Sequence, residues 1–571
     1  MRILWASVGF ACAICGAGAA AAQNQPLTPT DPAAALPPPP SPSSTDDLQV
    51  DQPQATGDAV SDGQLGFVVQ EITFNGAKTL SAAQLRPSWE ALRGRTATLA
   101  DLRAAAARAE KIYAEAGYPF VAVLVPPQEV RDGQVRFEVV EGRISDITVI
   151  GNDPVARRQA AAAFAGLTTR SPLSSDDVES TYEMARTIPG LSMSGALRRG
   201  SEAGGMDLVI QPRRKGWRAY TNINNLFSDP VGPWGILVGA DIYGTSLYGD
   251  QTTIQYYTTF DSGEQQVFRL GHSRRLNARG LTAGLTYMMA DSNPQGVVAV
   301  LDLATDVQLF HGEISQPIIS RAWGSLVAGA AFDWTDQNTD VFSSVAITED
   351  RTRVLSLRLS GRWKDDRRAA SGWVEARQGL DVGDASQPGD ALLSRAEGDP
   401  QALVLRGGGE AEARISRRWT VYGRFDGQWT DGPLLAPDEY SVGNLTIGRG
   451  YEPGSAFGDQ AAAVSLESRW GPFGIANGAI MASPFVFYDA VAYWNDDTFG
   501  VDKRTVSSAG IGLRLEAPGK GRLDVLWAKP FDPPLGLGEK TPASSVLINL
   551  TVTLDDAARW VWSRGRNGDR R

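Results

Sequence analysis

The chain has 571 residues, long enough for more than one domain. Its 54 basic and 65 acidic residues give a formal net charge of −11, which argues against a nucleic-acid binder, since that role wants a basic face. Beyond the N-terminal segment no stretch is apolar for long enough to make a membrane helix, so a membrane protein with this sequence has to cross by strands.

Residues 1–22 read as a secretory signal. Met1-Arg2 is the positive end, Ile3 to Ala22 is apolar and small, and Ala20-Ala21-Ala22 before Gln23 fits a cleavage site. Both cysteines, Cys12 and Cys15, fall inside it, so disulfides are expected to play no part after cleavage. Residues 23–62 form a Pro-rich linker. Pro26, Pro29, Pro32 and Pro37 to Pro40 alternate with Ala, Ser, Thr and Asp, which favours an extended chain with no core. It serves as a tether or as a partner-binding tail.

From Phe67 the texture changes. Val68, Gln70 and Ile72 alternate toward Phe74, and Asn75-Gly76 turns the strand. Leu80 to Leu92 reads as a weak helix. Leu99 to Tyr113 reads as a better one, with Leu102, Ala106, Ala109, Ile112 and Tyr113 at helical spacing. Tyr118 to Val125 and Val135 to Val140 read as two strands around an Asp132-Gly133 turn. The sum is an α+β unit over 63–142. A second copy follows over 143–213, about 75 residues on. Its parts are a strand over Ile144–Ile150, helices near 154–166 and 175–187, and a hairpin from Leu191–Leu197 to Met206–Ile210.

After Arg213-Arg214-Lys215 the helical spacing stops. Residues 216–554 are short alternating segments divided by Gly, Asp, Asn, Pro and Ser. Around Trp419–Asp426 one face holds Trp419, Val421 and Phe425, and the other Thr420, Tyr422, Arg424 and Asp426. About sixteen such segments, each of about ten residues, match a transmembrane barrel. Connections over 334–350, 380–400 and 429–460 are expected to be long loops. A large soluble sandwich or propeller does not account for the second face, where Arg, Asp, Glu and Gln recur while the first stays apolar. The fold class is therefore mostly β: an antiparallel transmembrane β-barrel of about 16 strands preceded by two α+β units, with a basic, Trp-containing tail over 555–571.

One stretch fits neither strand nor helix: Leu445 to Asp459, with glycines at 448, 450, 454 and 458 and Pro453. Arg449 stands between two glycines and before Tyr451. Unhindered by neighbouring side chains, its planar fork is able to reach a carboxylate in a narrow space. A plain surface turn with an incidental arginine fits the same residues.

With these pieces in view, the sequence resembles the outer-membrane transporters of two-partner secretion, the haemolysin-activator/haemagglutinin-exporter group of the Omp85 superfamily. Three places carry the likeness: Tyr113–Gln128 with Gly133 and Val140–Ile144, similar to the family's first POTRA domain; Ile188–Leu197 through Gly205–Ile210, similar to the end of its second; and Arg449-Gly450-Tyr451, similar to the tip of its sixth loop, between the eleventh and twelfth strands. In that family the loop folds into the lumen and its arginine pairs with an aspartate of an aromatic-x-Asp wall motif. The resemblance thus implies a loop motif of Arg449, Gly450, Tyr451 and Asp459, and a wall partner of Phe487 and Asp489 on the thirteenth strand. Two departures stand out: Val491 where the family often has glycine, and Gly448 where it often has valine.

What the resemblance implies is protein export. A secreted partner, a large β-helical haemolysin- or adhesin-like cargo, is captured unfolded by POTRA edge strands in the periplasm and conducted through the barrel. The outer membrane and its assembly machinery are the other partners, and no nucleic acid is involved. No cofactor, metal or catalytic residue is implied. His272 and His311 show no nucleophile–base constellation, and Gly536–Thr541 resembles a phosphate loop only superficially. An assembly factor of the same superfamily is the nearer alternative and a barrel enzyme the more distant one.

Overall fold

The structure, a computed structural model, describes residues 48–50, 66–202, 204–261, 263–342, 344–496, 502–534 and 540–554. The signal, most of the linker, the tail over 555–571 and most of Gly536–Thr541 lie outside the described residues.

Two small units come first, built alike. In the first, strand Glu71–Asn75 pairs in parallel with Gln134–Val140, which pairs antiparallel with Ala122–Leu124. In the second, Arg143–Val149 pairs in parallel with Gly205–Arg214, which pairs antiparallel with Leu191–Arg199. Backbone pairing also adds Leu48–Val50 to the free edge of Leu191–Arg199.

Helices close one face of each sheet. Helix Leu99–Glu115 starts at Thr98, whose hydroxyl accepts from the Asp101 amide while Asp101 accepts from the Thr98 amide. It buries Leu102, Ala105, Ala106, Ala109 and Tyr113 against Ile72, Val135 and Phe137. Helix Ser175–Arg186 uses the same box at Ser174 and Asp177. Its Tyr182 hydroxyl donates to the Met193 carbonyl at 3.0 Å. Two expectations need correction. Leu80–Leu92 holds one short helix, Ala82–Leu85, followed by two 3-10 turns, because Pro87 has no amide to continue the ladder. The strand expected over Tyr118–Val125 shrinks to Ala122–Leu124, bounded by Pro119 and Pro126.

Phe120 of the first unit sits in the core of the second. The second unit is in turn seated on the barrel. Arg275, the last residue of wall strand Gln265–Arg275, donates to the Met184 carbonyl at 2.8 Å and the Thr187 hydroxyl at 3.1 Å. That places a cation on the negative end of helix Ser175–Arg186. Arg321 reaches Asp176, and Arg158 and Gln159 donate to the carbonyls of Thr245 and Ser246.

Among the described residues, sixteen antiparallel wall strands close a barrel, from Trp217–Asn224 to Ser545–Thr553. The wall closes where Tyr220–Asn224 pairs with Asn549–Thr553. The polarity is inverted. Phe425 is 58 % exposed and Leu357 61 %, facing out, while Gln428 is 6 % exposed and faces in. Trp217, Trp323, Trp363, Trp419 and Trp470 are exposed at the end nearer the two units. At the other end stand Trp234, Phe260 and Trp429. Trp419 and Trp429 share one strand, so the band between them is about 25 Å tall at a usual strand tilt.

The inner face is not polar throughout. Tyr220, Leu237, Tyr257, Val267 and Met288 form an apolar inner cluster, covered by Phe227 and Val231 from the first far-end loop. Loops folded inward exclude water there, so the wall beneath them is apolar. Nor is 334–350 a long loop. Strands Gly324–Val341 and Val345–Lys364 stay paired to their ends. Past the membrane both faces are wet, so the apolar alternation stops while the hydrogen-bond ladder continues.

Candidate functional site: a lumen loop anchored on the wall

The eleventh wall strand, Trp419–Thr430, leads away from the two units, and the twelfth, Gln460–Trp470, returns. Between them the chain turns into the barrel, and Arg449 stands at its tip. Gly448 takes φ +125°, a region that favours glycine, and so aims the arginine at the wall. Gly450 lies so close to the wall that a Cβ there would meet Ser508 Cβ at 2.6 Å.

The Arg449 guanidinium meets a patch of four residues on two paired strands, where Ser465 stands opposite Asp489 and Glu467 opposite Phe487. Arg449 Nε donates to Asp489 Oδ2 at 2.9 Å and Nη2 to Oδ1 at 2.8 Å, a two-pronged contact. Its backbone amide adds a third bond to the same carboxylate at 2.9 Å. Nη1 donates to Glu467 Oε2 at 2.9 Å and Nη2 to the Ser465 hydroxyl at 2.8 Å. The guanidinium carbon lies 3.7 Å from the Phe487 ring centre. Asp489 is only 1 % exposed, so these donors take the place of water around its oxygens. Tyr451 is buried beside the tip, its Oη 2.9 Å from the carbonyl oxygens of Ser507 and Asp532.

Glycine shapes the wall as well. Phe485 pairs with Gly512 and Phe487 with Gly510. A Cβ on Gly510 would meet the Phe487 ring at 2.6 Å, and one on Gly512 the Phe485 ring at 2.3 Å. The rings lie across bare backbone and leave room for Arg449 above them.

Arg449, Gly450, Tyr451, Phe487 and Asp489 therefore come together, whereas Asp459 does not join them. It sits where the loop meets the wall, buried, and pairs with Arg395 rather than Arg449. Sequence reasoning also missed Ser465, Glu467, Arg469 and Arg514. Glu467 takes Arg469 at 2.5 Å and Arg514 at 3.4 Å besides Arg449, so three guanidinium groups share one carboxylate. Strand alternation was the available signal, since Ser465, Glu467 and Arg469 share the face opposite Val464 and Leu466. Beside the tip lies a cavity of about 530 Å³ lined by side chains of both signs, among them Arg362, Glu410, Arg424 and Arg522.

Barrel, inverted polarity and a lumen loop pinned by arginine define an outer-membrane-type β-barrel carrying POTRA-like units. Two family models match the chain. "POTRA domain, ShlB-type" covers residues 67–142, and "Haemolysin secretion/activation protein ShlB/FhaC/HecB" covers 328–515. The heme/hemopexin transporter protein HuxB of Haemophilus influenzae is 20 % identical over 450 residues, which are 77 % of this chain and 79 % of that protein. CdiB from Escherichia coli superposes with a TM-score of 0.71 at 15 % identity, covering 88 % of this chain and 92 % of that one. CdiB from Acinetobacter baumannii gives 0.62 at 13 % identity over 89 % and 94 %. The two solved structures carry the fold. The family models and HuxB make the chain a homologue of two-partner secretion transporters.

Proposed function

We propose that this chain exports an unfolded partner protein from the periplasm to the cell surface through its own barrel, without nucleotide hydrolysis. The observation that carries the reading is the tip of the lumen loop. It is held inside the barrel by hydrogen bonds of Arg449, Gly450 and Tyr451, contacts that are able to break and re-form. In this reading residues 63–142 and 143–213 are the POTRA domains, lying in the periplasm beneath the barrel of 216–554. Residues 1–22 direct export, and the assembly machinery inserts the barrel. The strand edges of the POTRA sheets take extended cargo by strand addition, where main-chain hydrogen bonds bind without strict readout of sequence. Folding of the cargo outside draws the chain through. The cargo is a large β-helical protein of haemolysin or adhesin type.

In this reading the protein acts as a conduit, as a transporter does. Deleting this chain and comparing secreted proteins tests the proposal. Loss of one large partner from the medium supports it, and an unchanged set of secreted proteins refutes it. Arg449→Ala should lower secretion while the barrel still reaches the membrane.

A further inference from the structure

We propose that Arg395 is a positioning residue that clamps the neck of the lumen loop, so that the loop has two latches: Arg449 at its tip and Arg395 at the barrel mouth. This rests on the export reading above, in which the loop has to shift.

Arg395 belongs to a different segment, the connection over 380–402 between the ninth and tenth wall strands, Arg368–Gly379 and Leu403–Ser416. Its guanidinium reaches both limbs of the lumen loop at once. On the outgoing limb Nη1 donates to the Leu434 carbonyl and to Glu439 Oε1, each at 3.0 Å. On the returning limb it holds Asp459, with Nη1 2.5 Å from Oδ1 and Nη2 3.3 Å from Oδ2. Asp459 is fully buried and also accepts the amides of Leu434 and Asp496, both at 2.8 Å. One carboxylate thus ties together the two limbs and the connection after the thirteenth strand, Ile480–Asn495. The remaining charge near the clamp is Glu397, 3.8 Å from Arg395 and more exposed.

Arg395 is itself held from outside the loop. Its own segment is fixed to the rim of the eighth wall strand, Val345–Lys364. The Ser394 amide donates to Asp350 at 3.0 Å, and Arg353 donates to the Gly383 carbonyl at 3.1 Å. The Ser394 hydroxyl in turn accepts the Ala436 amide at 3.0 Å. The neck is therefore pinned to a rigid hairpin, and freeing the tip alone leaves the two limbs tied across the mouth. The fork grips the Asp459 carboxylate through both Nη1 and Nη2 while Nη1 also reaches Leu434 and Glu439, and lysine, a point charge, does not reproduce that two-pronged grip.

The test is made on the full-length protein in planar bilayers and in secreting cells. Arg395→Gln should raise the open probability of the channel about tenfold, the factor one charge-assisted hydrogen bond is worth, while the barrel still folds. Arg395→Lys should not restore the closed state. A second variant locks the neck instead. Ser394→Cys with Ala436→Cys should block export when oxidised and recover it on reduction. This variant decides the matter if Arg395→Gln fails to fold. Wild-type open probability in Arg395→Gln, or full export through the oxidised lock, overturns the clamp. If deleting the whole chain leaves secretion intact, the export reading falls, and the bilayer measurement still judges the clamp.

Discussion

The two small units and the barrel use the same alternation to opposite ends. In strand Gly205–Arg214, Met206, Leu208 and Ile210 are buried beneath helices while their neighbours face water. In strand Trp419–Thr430, Trp419, Phe425 and Trp429 are exposed, while Gln428 is buried. One period of two thus builds a dry core in one region and a greasy outer wall in the other. The difference lies in what each apolar face meets: helix in the first case, lipid in the second. An alternating strand does not declare which side is inside. The chemistry of its other face does, and in the barrel that face carries Glu467, Asp489 and Arg514, which no dry core would hold unpaired.

The contrast is open to attack from either side. Phe137→Ala hollows the first unit and should cost it about 3–5 kcal/mol, seen as early calorimetric melting of that unit while the barrel transition stays in place. Leu357→Arg puts a charge on the outer wall and should cost about 2–4 kcal/mol, measured by unfolding in lipid; a neutral result would place that face in water. Asp489→Asn removes the charge the Arg449 fork holds and should cost about 2 kcal/mol of loop anchoring, read as a higher open probability in bilayers.

The smallest effect concerns pH. Burial pushes the Glu439 carboxyl from its ordinary 4.5 up to about 8, against the pull of Arg395 and with added push from Asp459. A raised folded value means that its contribution is complete below the ordinary value and fades as pH climbs through the folded one. The wild type should therefore lose ground to Glu439→Gln in melting temperature as pH rises from about 5 to about 9. Parallel curves for the two proteins would show that Glu439 stays ionised throughout.

Much of this was legible in the residues. Each strand needs an apolar face for lipid, so sixteen segments announced themselves. The contact between Arg449 and Asp489 followed from a likeness to a known family, with alternation placing Phe485, Phe487 and Asp489 on one side. What stayed hidden has a common physical cause. The paired extension over 334–350 is polar on both faces and looks like a loop. Glu467 is one carboxylate among many until three arginines are seen to converge on it. Arg395 lies 64 residues from Asp459, in a connection without periodicity, and nothing local marks a partner so distant. Asp459 itself was placed with the tip because sequence shows its nearness along the chain but not the fold that returns it to the mouth.

The packing of Phe120 inside the second unit and the Arg275 cap on helix Ser175–Arg186 bear on mechanics. Between the first unit and the barrel wall the described contacts are packed rings, a capped helix end and short polar bonds, with little slack to take up. A tug on the lower unit is thus carried upward as through a stiff strut, and the ring of strands receives it at the strand end that holds Arg275.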